Sequence, residues 1–503
     1  MNTIIRLNIK YIINAGVIFI ICQCCGKSNP PIIPPPPPPP PGIVTSISVN
    51  VNEVLKNLTG NEVGINMNYL MDGSVINGQT LATVTQSVKN TGAKFLRYPG
   101  GEKSDNYLFS SPPYTAANPR AAYCAWPSTE SRFFNPDLSC KSEVLDFDEF
   151  ITLSKSCGAE PLIVVPYDAI YNTNAGCTAP TKAALITHAK EWVRYANITK
   201  DYQVKYWMIG NESFLLNTYN GFTTPARYAT DLVDFVDAMK SIDPTIKIIV
   251  NGKSDWWQTL LQSPAASRID FFGISNYLQN TFTGYEFYRQ NLPALNQETD
   301  LAITAINNFA TGTDKDRIKV METEYNSIMF GNNGWANDNN VGHALCSFQM
   351  LADGILKPKL FASFLWNTRW IETVARPRHL FDALNANGSL NATGLSLSIL
   401  GKYLLPQMVA TTDSGYIKVY ATYNSTNKNL NIFIINKDNA AQKVKLTITG
   451  YPNAFSFQKY EFRGVDAEDK LPSFNPVGFI ATNAVLNNAI SLPQNSITML
   501  EIK

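Results

Sequence analysis

The chain has 503 residues, 45% of them apolar and only 16% charged, with a formal net charge of +1. That length exceeds one small domain and suits a large barrel with a smaller module beside it. The near-neutral balance excludes the basic field that binds nucleic acid or anionic lipid.

At the N-terminus, Arg6 and Lys10 precede the apolar run YIINAGVIFIIC, too short for a membrane span and suited to the core of an export signal. It ends in CQCCGKSN, the acceptor pattern of bacterial lipoproteins. Cys25, followed by Gly26 and Lys27, is favoured over Cys22 and Cys24 as the lipidated residue. The expected location is the bacterial cell envelope, lipid-anchored at the outer membrane surface or in the periplasm, with secretion as the alternative. The membrane is expected to be touched only through that anchor. Residues 1–25 thus read as a lipoprotein signal and 26–42 as a linker. Its NPPIIPPPPPPPPG run predicts a polyproline II stalk of about 40 Å, at about 3.1 Å per residue.

Export permits disulfides. Five cysteines lie beyond the leader: Cys124, Cys140, Cys157, Cys177 and Cys346. Cys124 and Cys140 share one polar loop and form the expected pair. Cys346, in an apolar helix, is expected to stay free.

Residues 43–60 contain the strand-like GIVTSISVNVNEVL, expected to join a later sheet. From residue 61 short apolar runs alternate with helical ones. The strand candidates are EVGINM, AKFLRYP, PLIVVPY, VKYWMIG, IKIIVNG, IDFFGIS, IKVMETE and FASFLWN. Their near-continuous hydrophobicity is that of parallel strands buried on both faces. Among the helical runs, TKAALITHAKEWVRYAN places Leu185, Ala189, Val193 and Ala196 near one face, with His188 on its surface. TTPARYATDLVDFVDAMK opens with Thr224 as N-cap and Pro225 in the first turn. Eight such units predict a (β/α)8 barrel over 61–402. The polar, aromatic insertion between about Gly100 and Glu160 is expected to wall a cleft. Over 403–503 the pattern turns to alternating strands such as GYIKVYATY, NLNIFIINK and QKVKLTITG, an antiparallel β-sandwich.

The tripeptide GNE occurs twice, and chain position separates the copies. Sites on such barrels lie at the C-terminal ends of the strands. Glu62 precedes its strand and reads as structural. Glu212 follows VKYWMIG and reads as chemical, since burial beside an apolar strand raises a carboxyl towards a general acid. A second carboxylate is needed for glycosidic hydrolysis. IKVMETEYNS supplies Glu322 and Glu324, which strand alternation places on one face, Glu324 nearer the mouth. Three repeat units separate Glu324 from Glu212, so the two face one another across the barrel.

WMIGNES, METEYNS and FLRYPGG, with PLIVV and EWVRYAN, resemble the retaining glycoside hydrolases of clan A. The pattern is nearest that of the α-L-arabinofuranosidases, with kin among β-xylosidases, heparanase-like β-glucuronidases and agarases. The resemblance covers roughly residues 60–400, and a trailing sandwich is typical of the clan. It implies Glu212 as acid/base and Glu324 as nucleophile. It further implies that Asn211 binds the hydroxyl next to the reacting carbon and that Arg97 keeps the nucleophile ionised. Tyr277 would donate its hydroxyl to Glu324, and Trp366 would floor the pocket. Tyr325 stands where that family has Trp, and Ser275–Tyr277 read SNY where it has His-Tyr-Tyr. These departures touch sugar specificity, so an endo-acting galactan hydrolase of agarase or porphyranase type stands as an alternative. A non-catalytic surface glycan-binding lipoprotein is the alternative from another class.

No metal or organic cofactor is expected, and the partner is a plant or algal polysaccharide or oligosaccharide. His188, His343 and His379 show no metal spacing. There is no GxSxG elbow, P-loop or GxGxxG.

Overall fold

The computed structural model describes residues 44–73, 80–123, 130–171, 178–215, 223–278, 282–290, 295–328, 335, 338–370, 381–451, 456–481 and 489–503. The leader with Cys25, the proline run, Cys124, Cys177 and His379 lie outside the described residues.

Eight parallel strands close into a barrel. In order they are Val63–Asn66, Phe95–Tyr98, Glu160–Val165, Tyr206–Ile209, Lys247–Asn251, Phe271–Tyr277, Lys319–Asn326 and Leu360–Leu365. Each overlaps one of the eight predicted runs. The eighth strand returns to the first, with Ser363 beside Val63 and Leu365 beside Ile65. Side chains such as Phe95, Leu162, Met208, Ile249, Met321 and Phe364 fill the interior, so the barrel is a packed core and not a pore. The opposite strand faces pack on the helices, which explains the unbroken hydrophobicity of the runs.

The helix signals act as their chemistry dictates. Thr224 caps Pro225–Lys240, its hydroxyl accepting the Arg227 N–H at 3.2 Å. Lys182–Val193 starts behind Thr181 and runs into a π-helical turn, Arg194–Thr199. His188 corrects the sequence reading: it is buried and not on the helix surface. Its Nε2 accepts the Phe109 N–H at 3.0 Å, and burial holds the imidazole neutral, its pKa down to about 3. The reason is the insertion after the second strand. Phe109 stacks on Trp192 of the same helix at 5.2 Å, so the insertion covers a face that would otherwise meet solvent.

Val44–Asn57 joins the C-terminal sheet, antiparallel to Gln407–Thr411 and parallel to Gln442–Thr449. Ile417–Tyr423, Leu430–Asn436, Ser456–Arg463, Ser473–Ala481, Ile490–Leu492 and Ser496–Ile502 complete it with antiparallel pairings. Gln442–Thr449 alternates as expected for a half-exposed strand, with Val444 and Leu446 inward and Lys443 and Lys445 outward. Leu430–Asn436 is buried throughout. Phe433 and Ile435 join the core shared with the barrel, while Ile432 and Ile434 join the core inside the curled sheet. Among the described residues no helix is long and apolar enough to cross a membrane.

Candidate active site

The site grows from the second strand. Arg97 is its third residue and is fully buried, a position costly for a cation unless every face is paired. Its Nη1 donates to Asn66 Oδ1 at 2.7 Å and to Glu324 Oε1 at 3.0 Å, and its Nη2 donates to Asn211 Oδ1 at 2.5 Å. One guanidinium therefore ties together the C-terminal ends of the first, second and seventh strands and the turn after the fourth. Tyr277 closes the sixth strand and donates its hydroxyl to Glu324 Oε2 at 2.8 Å. Of the six expected site residues, Arg97, Asn211, Glu324 and Tyr277 are thus in direct contact.

The route by which Glu324 reaches the site departs from the expectation. Alternation placed Glu322 and Glu324 on one face, and the structure separates them. Met321 lies in the barrel interior. Glu322 points outward, its carboxylate taken by the Ser363 hydroxyl at 2.6 Å, Asn276 Nδ2 at 3.3 Å and the Thr299 hydroxyl of the helix Gln297–Phe309. Against the sixth strand the register slips by one residue, with Glu322 beside Ile274 but Glu324 beside Ser275. This is a β-bulge centred on Thr323. Asn66 Nδ2 donates to the Thr323 carbonyl at 2.9 Å and braces it. The extra residue shifts the side-chain phase, so Glu324 turns to the site while Glu322 stays among the helices.

Glu212 sits in the turn after the fourth strand with a left-handed backbone, φ 46°, a conformation costing a non-glycine residue about 1 kcal/mol or more. Gly210 precedes it at φ 70°. The Glu212 carboxyl is hydrogen-bonded by Ser275, and burial together with the Glu324 charge pushes it up to about 8. Burial also raises Glu324, opposed by Arg97 and the Tyr277 hydroxyl. The two acids titrate as a pair. Arg97 pairs directly with Glu324 and acts on Glu212 only from a distance, an arrangement that favours the proton on Glu212 and the charge on Glu324. Tyr277 feels the charge of both acids, which places its hydroxyl beside the pair.

Trp366 follows the eighth strand and is almost fully buried with Trp370, Phe381 and Ile328, Tyr277 packing against them. The Gly101 backbone lies against its ring so closely that a Cβ there would come within 2.0 Å of it. Glu102 follows, its charge raising both Glu212 and Glu324, and Lys103 pairs with it at 3.0 Å and with Glu130 at 2.7 Å. The insertion therefore borders the site with its first turn.

The other GNE is structural, as its position indicated. Glu62 is buried and accepts from the Thr59 N–H, the Thr59 hydroxyl at 2.9 Å and the Gly60 N–H at 3.0 Å. Cys346 is a buried free thiol within Val341–Ile355. Cys140 was expected to pair with Cys124, which lies outside the described residues. The Cys140 side chain packs against the barrel's apolar core, where burial pushes its pKa up. Among the described residues no group of three or more His, Cys, Asp or Glu side chains is placed to hold a metal ion. Asn66, Ser275 and the Thr323 bulge were not found from sequence. The SNY departure was the one sign pointing at Ser275.

Residues 87–292 match the alpha-L-arabinofuranosidase 1 domain, a span holding Arg97, Asn211, Glu212 and Tyr277 but not Glu324 or Trp366. The probable alpha-L-arabinofuranosidase C of Aspergillus clavatus is 25% identical over 187 residues, 34% of this chain and 32% of that protein. The alpha-L-arabinofuranosidase C of Emericella nidulans is 26% identical over 186 residues, 34% of this chain and 32% of that one. The match thus spans about a third of these curated relatives. The arabinose complex of the alpha-L-arabinofuranosidase from Thermotoga maritima superposes with a TM-score of 0.67 at 18% identity, covering 91% of this chain and 99% of that one. Barrel and sandwich are shared in the same arrangement, and the chain is arabinofuranosidase-like in its barrel sequence and in its fold, as its motifs indicated.

Proposed function

We propose that the chain is a retaining glycoside hydrolase of α-L-arabinofuranosidase type, acting on a plant or algal polysaccharide by double displacement. One observation carries this reading. Two acids, after the fourth strand and on the seventh, act on one another electrostatically: Glu324 is paired with Arg97 and Tyr277, while burial and the Glu324 charge raise Glu212, hydrogen-bonded by Ser275, to about 8. That division of labour is what acid-assisted displacement requires.

Glu324 attacks the anomeric carbon and forms a glycosyl ester while Glu212 gives its proton to the departing oxygen. Glu212, now ionised, takes a proton from water as the water oxygen bonds the anomeric carbon, and the bond from that carbon to Glu324 breaks to release the carboxylate. Asn211 has committed Oδ1 to Arg97, so its amide NH2 is the end it offers to a sugar hydroxyl. Trp366 supplies an apolar wall for the ring. The relatives' names favour an arabinofuranoside over the galactan alternative. A pure glycan binder has no use for a facing carboxylate pair.

Purified protein assayed on arabinan, arabinoxylan and agar, with product sizing, tests the substrate. Release of arabinose is expected, and agar oligosaccharides without arabinose would favour the galactan reading. Glu212→Gln and Glu324→Gln should each lower turnover on polysaccharide by at least about 1,000-fold with an unchanged circular dichroism spectrum. Near-normal turnover by either variant would exclude the assignment. The reading extends to a lipid tether at Cys25 carried on the proline stalk. A Cys25→Ala chain should leave the membrane fraction, and its retention there would exclude that anchor.

A further inference from the structure

A second pair of acids lies beneath the acid/base turn. Asp168 belongs to the 3-10 turn Asp168–Tyr171 after the third strand, and Asp105 to the turn Glu102–Asn106 after the second. Both are buried, at 1% and 0% exposure, and their carboxyl groups lie within hydrogen-bonding reach of one another. Ionised carboxylates only accept hydrogen bonds. A hydrogen bond between two of them therefore requires a proton on one.

The geometry above Asp168 gives the pair a task. Its Oδ2 accepts the Asn211 N–H at 2.9 Å and the Ser213 hydroxyl at 2.9 Å, the residues on either side of Glu212. A Cβ on Gly210 would lie 2.5 Å from that same oxygen, so the turn is seated directly on the carboxyl group. Asp168 Oδ1 meets no donor among the described residues. Among the described residues the groups acting on Asp168 include the Asp105 carboxyl and Asn211 and Ser213 of the turn, and its charge in turn acts on the Tyr228 hydroxyl of Pro225–Lys240.

We propose that Asp105 and Asp168 share one proton and act as a positioning pair that holds Glu212 in its left-handed, proton-donating geometry. The positioning half rests on the reading of Glu212 as the acid; the shared proton does not. Burial of Asp168, which pushes its carboxyl up to about 7, agrees with a retained proton. The pair joins the loops after the second, third and fourth strands and touches no substrate. It is a positioning element and not a catalytic one.

Two measurements test the two halves separately. In the infrared, the carbonyl stretch of protonated carboxyl groups should be weaker in Asp168→Asn and in Asp105→Asn than in the parent at neutral pH. An unaltered band in both would overturn the shared proton, whatever the enzyme's substrate. In kinetics, Asp168→Ala should lose about 100-fold in kcat on a phenyl glycoside, whose leaving group needs a proton, and under about threefold on a dinitrophenyl glycoside, whose leaving group does not. Asp168→Asn keeps an acceptor for Asn211 and gains a donor for Asp105, and should recover most of the phenyl-glycoside rate. Equal losses on both glycosides, or an asparagine variant as impaired as the alanine one, would overturn the positioning role. Glu212→Gln losing equally on both glycosides would instead count against Glu212 as the acid.

Discussion

Glu324 accepts one hydrogen bond on each oxygen, from Arg97 at 3.0 Å and Tyr277 at 2.8 Å, and the second donor can be removed without unpairing the buried guanidinium. Tyr277→Phe takes away a bond that favours the ionised acid. The Glu324 pKa therefore rises, and the acid limb of the pH profile of kcat/KM moves to higher pH while the enzyme stays folded. On the other limb, Glu212 must be protonated to act, so activity should be present below about 8 and lost as pH climbs through that value. A basic limb unmoved in Glu212→Asp would count against Glu212 as its source. Sequence made Glu212 and Glu324 legible, because each ends or follows an apolar run where barrel sites form, while Arg97, Asn211 and Tyr277 came from the family resemblance. It did not reveal Asn66, which accepts from Arg97 and braces Thr323 at once. Its meaning comes from joining Arg97, 31 positions away, to Thr323, 257 positions away, and no local pattern encodes that.

The seventh strand shows where alternation stops being a guide. Glu322 and Glu324 have the spacing of same-face neighbours, and one bulged residue sends them to opposite sides of the wall. A sequence holds no periodic mark of such an insertion when the flanking residues, Thr323 and Tyr325, suit either face. The outward acid has a measurable signature. Burial pushes Glu322 up to about 7 from its ordinary 4.5, against the Ser363 and Thr299 hydroxyls. The folded state therefore binds the proton more tightly than the unfolded one. Its contribution to stability is complete below about 4.5 and is lost as pH rises through about 7. Glu322→Gln, which stays neutral, should show a shallower fall of melting temperature between pH 5 and pH 8 than the parent. Superimposable curves would show that Glu322 does not titrate in that window. At the same scale the helix starts were readable, since Thr224 and Pro225 act locally. The burial of His188 was not, because the cover comes from a different loop.

Barrel and sandwich read as two modules in the sequence, yet they share one core. Met408, Tyr420, Phe433, Phe462, Ile497 and Met499 of the sheet belong to the same apolar cluster as the barrel's outer layer. Polar contacts add to it: Tyr285 donates to the Lys437 carbonyl at 2.8 Å, Arg289 pairs with Asp438 at 2.8 Å, and Tyr420 donates to Asp353 at 2.6 Å. The Lys437 ammonium is buried over the Tyr288 ring at 4.4 Å. A chain ended at residue 402 would leave that surface bare. It should fail to fold, and the intact protein should melt in a single calorimetric transition. Two resolved transitions would show independent modules. The shared core was illegible because alternating strands look alike whether their inner face meets a second sheet or a barrel.

The strand Val44–Asn57 precedes the whole barrel, yet Ser48 bonds Thr412, separated from it by 364 positions. During translation that segment leaves the ribosome long before Gln407–Thr411 or Gln442–Thr449 exist. It must wait unpaired while the entire barrel is made, and the sheet closes only when the last hundred or so residues arrive. A polypeptide built this way cannot pair its first strand until its C-terminal sheet has been synthesised.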